Sequence, residues 1–139
     1  MKAEMGKGTW EELKFASKGD HRGELVALQN PQEVPFPIRR VYVLTKTLGN
    51  VTRGLHAHYN LDQVLIAVSG ACRVRVDNGS DAKEFCLDTH TKGLRITNLI
   101  WREMFDFSPD CVLLVLASQE YDPEDYIRSY EKFLEIVKN

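Results

Sequence analysis

The sequence predicts an all-β domain of antiparallel strands, arranged as a sandwich or barrel and finished by a short C-terminal helix. Three observations carry this expectation. Apolar residues fall in short, mostly alternating runs; the runs recur about every ten residues; and the residues between them have turn chemistry. A length of 139 residues suits one domain, 1–139, with one core. Hydrophobic residues at 43% and charged residues at 27% are ordinary globular values, which excludes a disordered or fibrous chain.

The expected strands are Glu24–Gln29, Ile38–Thr45, Thr52–His58, Gln63–Val68, Ala71–Asp77, Glu84–Leu87, Leu94–Asn98 and Cys111–Ser118. Gln29–Pro37 holds three of the five prolines and reads as extended connection. Ser69-Gly70 is short enough for a tight hairpin, and Asp77-Asn78-Gly79-Ser80 supplies residues that accept positive φ in a longer one. Cys72, Val74 and Val76 alternate with Arg73, Arg75 and Asp77, so that strand has one core face. The run from Cys111 to Ala117 is apolar on both faces, which suits a strand covered on both sides or an edge sealed by a partner. Asp122-Pro-Glu-Asp125 is a good helix start, after which Tyr126, Tyr130, Phe133, Leu134 and Val137 form one stripe.

Eighteen basic against twenty acidic residues give a net charge of −2, too little field to attract nucleic acid. No apolar run approaches the roughly 18 residues that span a bilayer, so a cytoplasmic protein without membrane contact is expected. Cys72, Cys86 and Cys111 are odd in number and widely spaced, and are expected to be buried thiols rather than a disulfide framework or zinc site.

The informative segment runs from Arg53 to Gly70. On a strand His56 and His58 point to the same face, so both imidazoles enter one cavity. Arginines gather around the same elements, among them Arg22, Arg40, Arg53 and Arg102, and bidentate guanidinium contacts suit a diphosphate. Trp101 and Tyr42 are candidates to stack on a base or sugar, or equally to lie in the core.

His56-Ala-His58, followed by Gln63 and Gly70, resembles the first motif of the cupin superfamily, which implies a cupin-type jelly-roll barrel. Metal cupins use two His, a Glu and a later His. Here the acid position is Gln63 and the late His position is Arg102. A site of two neutral imidazoles, a neutral amide and a cationic guanidinium that offers only donors would repel a divalent ion, so no catalytic metal and no cofactor is expected. Histidines without a metal suit acid/base work near neutral pH.

Together with Asp62-Gln63-Val64-Leu65, Trp101-Arg102-Glu103-Met104 with Asp106-Phe107, Val115-Leu-Ala-Ser118, and Tyr121-Asp122 with Asp125-Tyr126-Ile127-Arg128, these residues resemble the sugar 3,4-ketoisomerase family from about Gly19 to Phe133. That resemblance implies a metal-free homodimer that moves the ketone of dTDP-4-keto-6-deoxyglucose from C4 to C3 through an enediol. It implies His56 as base, His58 as proton shuttle or orienting partner, and Tyr42 as acid or hydrogen-bond donor. Gln63 and Arg102 would polarise the sugar oxygens, while Arg53, with Arg22, Arg40 and Trp101, would bind substrate. A pyridoxal-phosphate aminotransferase would consume the product on the way to a surface polysaccharide such as O-antigen or S-layer glycan, or another glycosylated product. Members of the family carry His or Arg at the position of Arg102, and Arg or Tyr near Arg22, a difference that tracks the face of C4 protonated. Arg at both places leaves the gluco and galacto products open, with Arg102-Glu-Met-Phe leaning to gluco. The rivals are a 3,5-epimerase, a metal-dependent oxygenase and a non-catalytic sugar-nucleotide binding module.

Overall fold

Alternation of side chains decides the architecture. In the computed structural model, which describes residues 8–138, the strands are β1 (Trp10–Lys14), β2 (Lys18–Asp20), β3 (Gly23–Leu25), β4 (Arg40–Leu44), β5 (Arg53–His58) and β6 (Gln63–Ser69). They continue as β7 (Cys72–Asp77), β8 (Ala82–Leu87), β9 (Lys92–Ile96), β10 (Trp101–Phe105), β11 (Val112–Ala117) and β12 (Tyr126–Ile127), and α1 (Tyr130–Lys138) ends the fold. One sheet has the order β1-β9-β6-β11-β4 and the other β12-β5-β10-β7-β8, while β2 and β3 form a separate ribbon. All these pairings are antiparallel.

The core lies between the two five-stranded sheets, where Leu65, Val74, Val76, Leu94, Ile96, Leu113 and Val115 are almost fully buried. As the alternation requires, Cys72, Val74 and Val76 face this core while Arg73 and Arg75 face outward. Strand β11 lies between β6 and β4 and is covered on both faces: Leu113 and Val115 face the core, and Leu116 packs with Phe15, Val34 and Phe36. The outer face of the second sheet carries Ala57, Trp101 and Ile127, sealed by Phe133 of α1. No helix among the described residues is long and apolar enough to cross a membrane.

Successive strands from β4 to β7, and again from β8 to β11, switch between sheets, the winding of a jelly roll. That winding corrects the reading of Ser69-Gly70. The chain passes there from β6 in one sheet to β7 in the other, and Gly70 takes φ +64° where any Cβ would press on Ser108, Asp110 and Cys111. The turn at Asp77–Ser80 does close a hairpin, with Asp77 opposite Ala82. Gln29–Pro37 is not extended: it folds into turns in which the Gln29 carbonyl accepts from the N–H groups of Glu33 and Val34.

The helix begins later than its cap signal suggests. Asp122 caps only a single 3₁₀ turn, Pro123–Asp125, because the following residues pair with β5. Helix α1 starts after Ser129, whose hydroxyl accepts from the Lys132 N–H. The region Glu24–Gln29 is strand only to Leu25, and β1, β2, β10 and β12 were not anticipated, the apolar stripe having placed Tyr126 on the helix. Of the cysteines, Cys72 and Cys111 are buried but Cys86 is exposed, since it lies on the outward face of β8. Burial pushes the Cys72 thiol up to about 12, so it is unreactive.

Phe133 is fully buried and anchors α1 over β12 and β5. Phe133→Ala is expected to cost about 3–5 kcal/mol, read as a lowered urea midpoint.

Candidate active site

Strand β5 places the two histidines, and a bulge aims them. Arg102 of β10 lies opposite His56 and Glu103 opposite Gly54, so Leu55 is the extra residue. Gly54 and Leu55 both take left-handed conformations, with φ of +84° and +59°. Glycine tolerates this, but leucine is strained there, as residues beside active sites often are. The bulge lets the Gly54 carbonyl accept a hydrogen bond from His56 Nδ1 at 2.9 Å. A carbonyl can only accept, so the neutral ring carries its hydrogen on Nδ1 and keeps a lone pair on Nε2.

His58 emerges on the same face, as alternation requires, with its ring centroid 4.8 Å from that of His56. It is 1% exposed, and its Nδ1 lies 3.1 Å from Asp125 Oδ2. The other oxygen of Asp125 accepts from the Asn60 N–H at 2.9 Å. A carboxylate held this way accepts a hydrogen bond from His58 Nδ1–H, and Nε2 has no hydrogen-bond partner among the described residues. Burial holds His56 down to about 4, helped by the nearby Arg102 guanidinium, and the same two causes keep His58 neutral. Both rings are therefore bases, not cations, at neutral pH.

Arg102 is 1% exposed and forms no ion pair with a carboxylate among the described residues. It donates to Gln63 Oε1 through Nη1 and to the Ile100 carbonyl through Nη2 at 3.2 Å. Burial lowers its pKa to about 10, which still leaves it charged at neutral pH. Gln63 Nε2 in turn donates to the Tyr42 hydroxyl at 2.9 Å. Burial raises the Tyr42 pKa, keeping the phenol protonated.

Of these groups Tyr42 and His56 reach a cavity of about 390 Å³, which Tyr126 also lines, with Arg40, Arg53 and Arg128 among its walls. The Arg40 guanidinium lies 5.1 Å from the centre of the Tyr42 ring, and Arg128 4.2 Å from that of Tyr126. Of the expected cluster, His56, Tyr42, Arg40 and Arg53 line the cavity, while His58 is buried behind the His56 ring and does not enter it. Gln63 and Arg102 sit behind the cavity wall rather than on it. Trp101 does not reach the cavity: it alternates with inward-facing Arg102, so its ring lies under α1 and its Nε1 donates to Glu103. Arg22 is also elsewhere, on the exposed β2–β3 ribbon, where Asp20 binds its guanidinium.

Asp125, Tyr126 and Arg128 belong to the site, although in the sequence they counted only toward the family resemblance and had no site role. The spacing of Tyr126 and Arg128 carries a strand signal of period two, which the helix-cap pattern at Asp122 obscured.

The cupin fold raises the question of a metal, and the donor set does not fit one. No group of three or more His, Cys, Asp or Glu side chains among the described residues could hold an ion. Gln63 is occupied by Arg102 and Tyr42, and Arg102 has no lone pair to give.

Fold and site together define a cupin equipped for proton transfer. The family described as "FdtA: WxcM-like, C-terminal" matches residues 9–138, and the chain belongs to it. The chain is 47% identical over 90% of its length, and 90% of the relative's, to the TDP-4-oxo-6-deoxy-alpha-D-glucose-3,4-oxoisomerase of Aneurinibacillus thermoaerophilus. A 3,4-ketoisomerase from Helicobacter canadensis superposes with TM-score 0.91 at 42% identity, covering 94% of this chain and 98% of that one. A histidine-to-asparagine mutant of the 3,4-ketoisomerase from Thermoanaerobacterium thermosaccharolyticum, solved with TDP-4-keto-6-deoxyglucose, gives TM-score 0.90 at 41% identity over 93% and 94% of the two chains. The protein is an enzyme of this isomerase family.

The buried, neutral state of His56 can be read directly. Its ring resonances in a pH-titrated NMR series should shift near pH 4, not near the ordinary 6.5.

Proposed function

We propose that this protein, a single cupin domain, converts dTDP-4-keto-6-deoxyglucose to dTDP-3-keto-6-deoxyhexose by moving protons between C3 and C4. The observation that carries the reading is the pairing, in one cavity, of a neutral imidazole with a free Nε2 and a protonated phenol. His56 Nε2 removes the proton from C3 while the Tyr42 hydroxyl protonates the C4 oxygen, giving the enediol. The Tyr42 phenolate then takes the proton from the C3 oxygen, and the His56 imidazolium delivers its proton to C4. Every proton taken is returned, so no redox partner is required.

The surroundings support each step. Arg102 provides a buried positive charge that favours electron density developing on the two oxygens. Asp125 fixes the His58 tautomer, and His58 stands edge-on behind His56 as its orienting partner. Arg40, Arg53 and Arg128 make the cavity wall cationic, which suits a diphosphate.

Turnover in deuterated water followed by NMR tests the reaction. A 3-keto product establishes the isomerase, its coupling pattern assigns the C4 configuration, and deuterium at C4 measures how far the His56 proton exchanges with solvent; a 4-keto product labelled at C3 and C5 would establish a 3,5-epimerase instead. His56→Asn should lower kcat by about 10²–10⁴-fold with TDP affinity nearly unchanged, and an unchanged kcat would remove His56 as the base.

The same reading includes a cytoplasmic homodimer. Edge strand β4 exposes Val41 and Val43, 55% and 50% accessible, and Leu25 on the β2–β3 ribbon is equally bare. An apolar edge of this kind favours pairing with a second copy. Sedimentation should give a dimer that Val43→Lys shifts toward monomer. A 3-keto sugar nucleotide is a substrate for a pyridoxal-phosphate aminotransferase, which places the enzyme before transamination in the making of a 3-amino sugar for a surface polysaccharide such as an O-antigen or S-layer glycan.

A further inference from the structure

Gln63 is almost fully buried, and each end of its carboxamide meets a different group. Arg102 Nη1 approaches Oε1, and the Tyr42 hydroxyl lies 2.9 Å from Nε2. A guanidinium has donors only, so the carboxamide must present its oxygen to Arg102. The NH₂ group then necessarily faces Tyr42 and donates to it. A phenol has one hydrogen. With its oxygen accepting from Gln63, the Tyr42 hydroxyl hydrogen is left over, and the hydroxyl donates no hydrogen bond to another of the described residues. The ring lines the cavity.

We infer that Gln63 is a positioning residue that sets the polarity of Tyr42: locked oxygen-first on Arg102, it forces the Tyr42 hydroxyl to present its hydrogen to the cavity. This rests on the reading of Tyr42 as the acid of the isomerase. The arrangement joins the two sheets, since Arg102 comes from β10 while Gln63 and Tyr42 come from β6 and β4. It serves both halves of the reaction. Before proton transfer the hydroxyl can only donate outward, toward the C4 oxygen. After transfer the Gln63 N–H remains on the phenolate oxygen and stabilises its charge until the proton of the C3 hydroxyl replaces the one given away. A carboxylate at this position would accept from both sides. It would keep the contact with Arg102 but draw the Tyr42 hydrogen away from the cavity.

Steady-state kinetics of Gln63→Glu, Gln63→Met and Tyr42→Phe, alone and combined, separate polarity from packing. Polarity predicts kcat in the order Gln, Met, Glu, with the Glu variant reduced by about 10²-fold or more and KM little changed. A structural role predicts the opposite order for the variants, because Glu preserves the length and the Arg102 contact while Met does not. In the Tyr42→Phe background all three residues should give kcat values within about twofold. A Glu variant as active as Gln, or a Glu penalty that persists without the Tyr42 hydroxyl, overturns the inference while leaving the isomerase reading intact. If Tyr42→Phe itself retains full kcat, Tyr42 is not the acid and the inference falls with that reading. Should the Glu variant not fold, the Met variant carries the test, since a Met penalty that survives in the Phe background also overturns it.

Discussion

A guanidinium buried without a carboxylate partner organises this protein. Arg102 is held between the sheets by a carboxamide oxygen and a backbone carbonyl, both neutral. Removing such a charge from water is costly, and hydrogen bonds together with the nearby Asp125, Tyr42 and Tyr126 offset part of the loss. The unspent positive charge shapes everything near it. It adds to the burial that holds both imidazoles in the basic form, and it dictates which way the Gln63 amide lies.

The other elements hold that centre in place. Sheet alternation delivers His56 and His58 to the inner face and sends Ala57 outward to the layer under α1. The short β12 pairs with β5, Tyr126 opposite His58, and so brings Asp125 to the second imidazole. Stability and chemistry share these parts: the helix that closes the outer core also clamps the strand beside the carboxylate. The Arg40 and Arg128 side chains lie over aromatic rings, which limits their freedom before any anion arrives.

Much of this was legible in the residues. Strands such as Cys72–Asp77 announce themselves because one face is apolar and the other charged. The histidine pair and its basic surroundings were legible for the same reason, since period two places them on one face. Strand β10 was not, because it inverts the rule: charged Arg102 points inward and Trp101 outward. Ser69-Gly70 misled because local turn chemistry cannot say whether the chain returns along its own sheet or crosses to the other. Asp125 was hidden by its neighbours, which form a good helix cap and yet make one turn only, their backbone being claimed by β5. The contribution of Asp125 depends on His58, 67 positions away, and no local pattern carries such a pairing.

The bulge at Gly54-Leu55 means that the orientation of the basic imidazole is stored in main-chain torsions. The acceptor for His56 Nδ1 is a peptide oxygen, which every amino acid possesses. Trimming the side chains that surround the ring would leave this acceptor in place, whereas replacements at Gly54 or Leu55 that alter the path of the chain itself would move it.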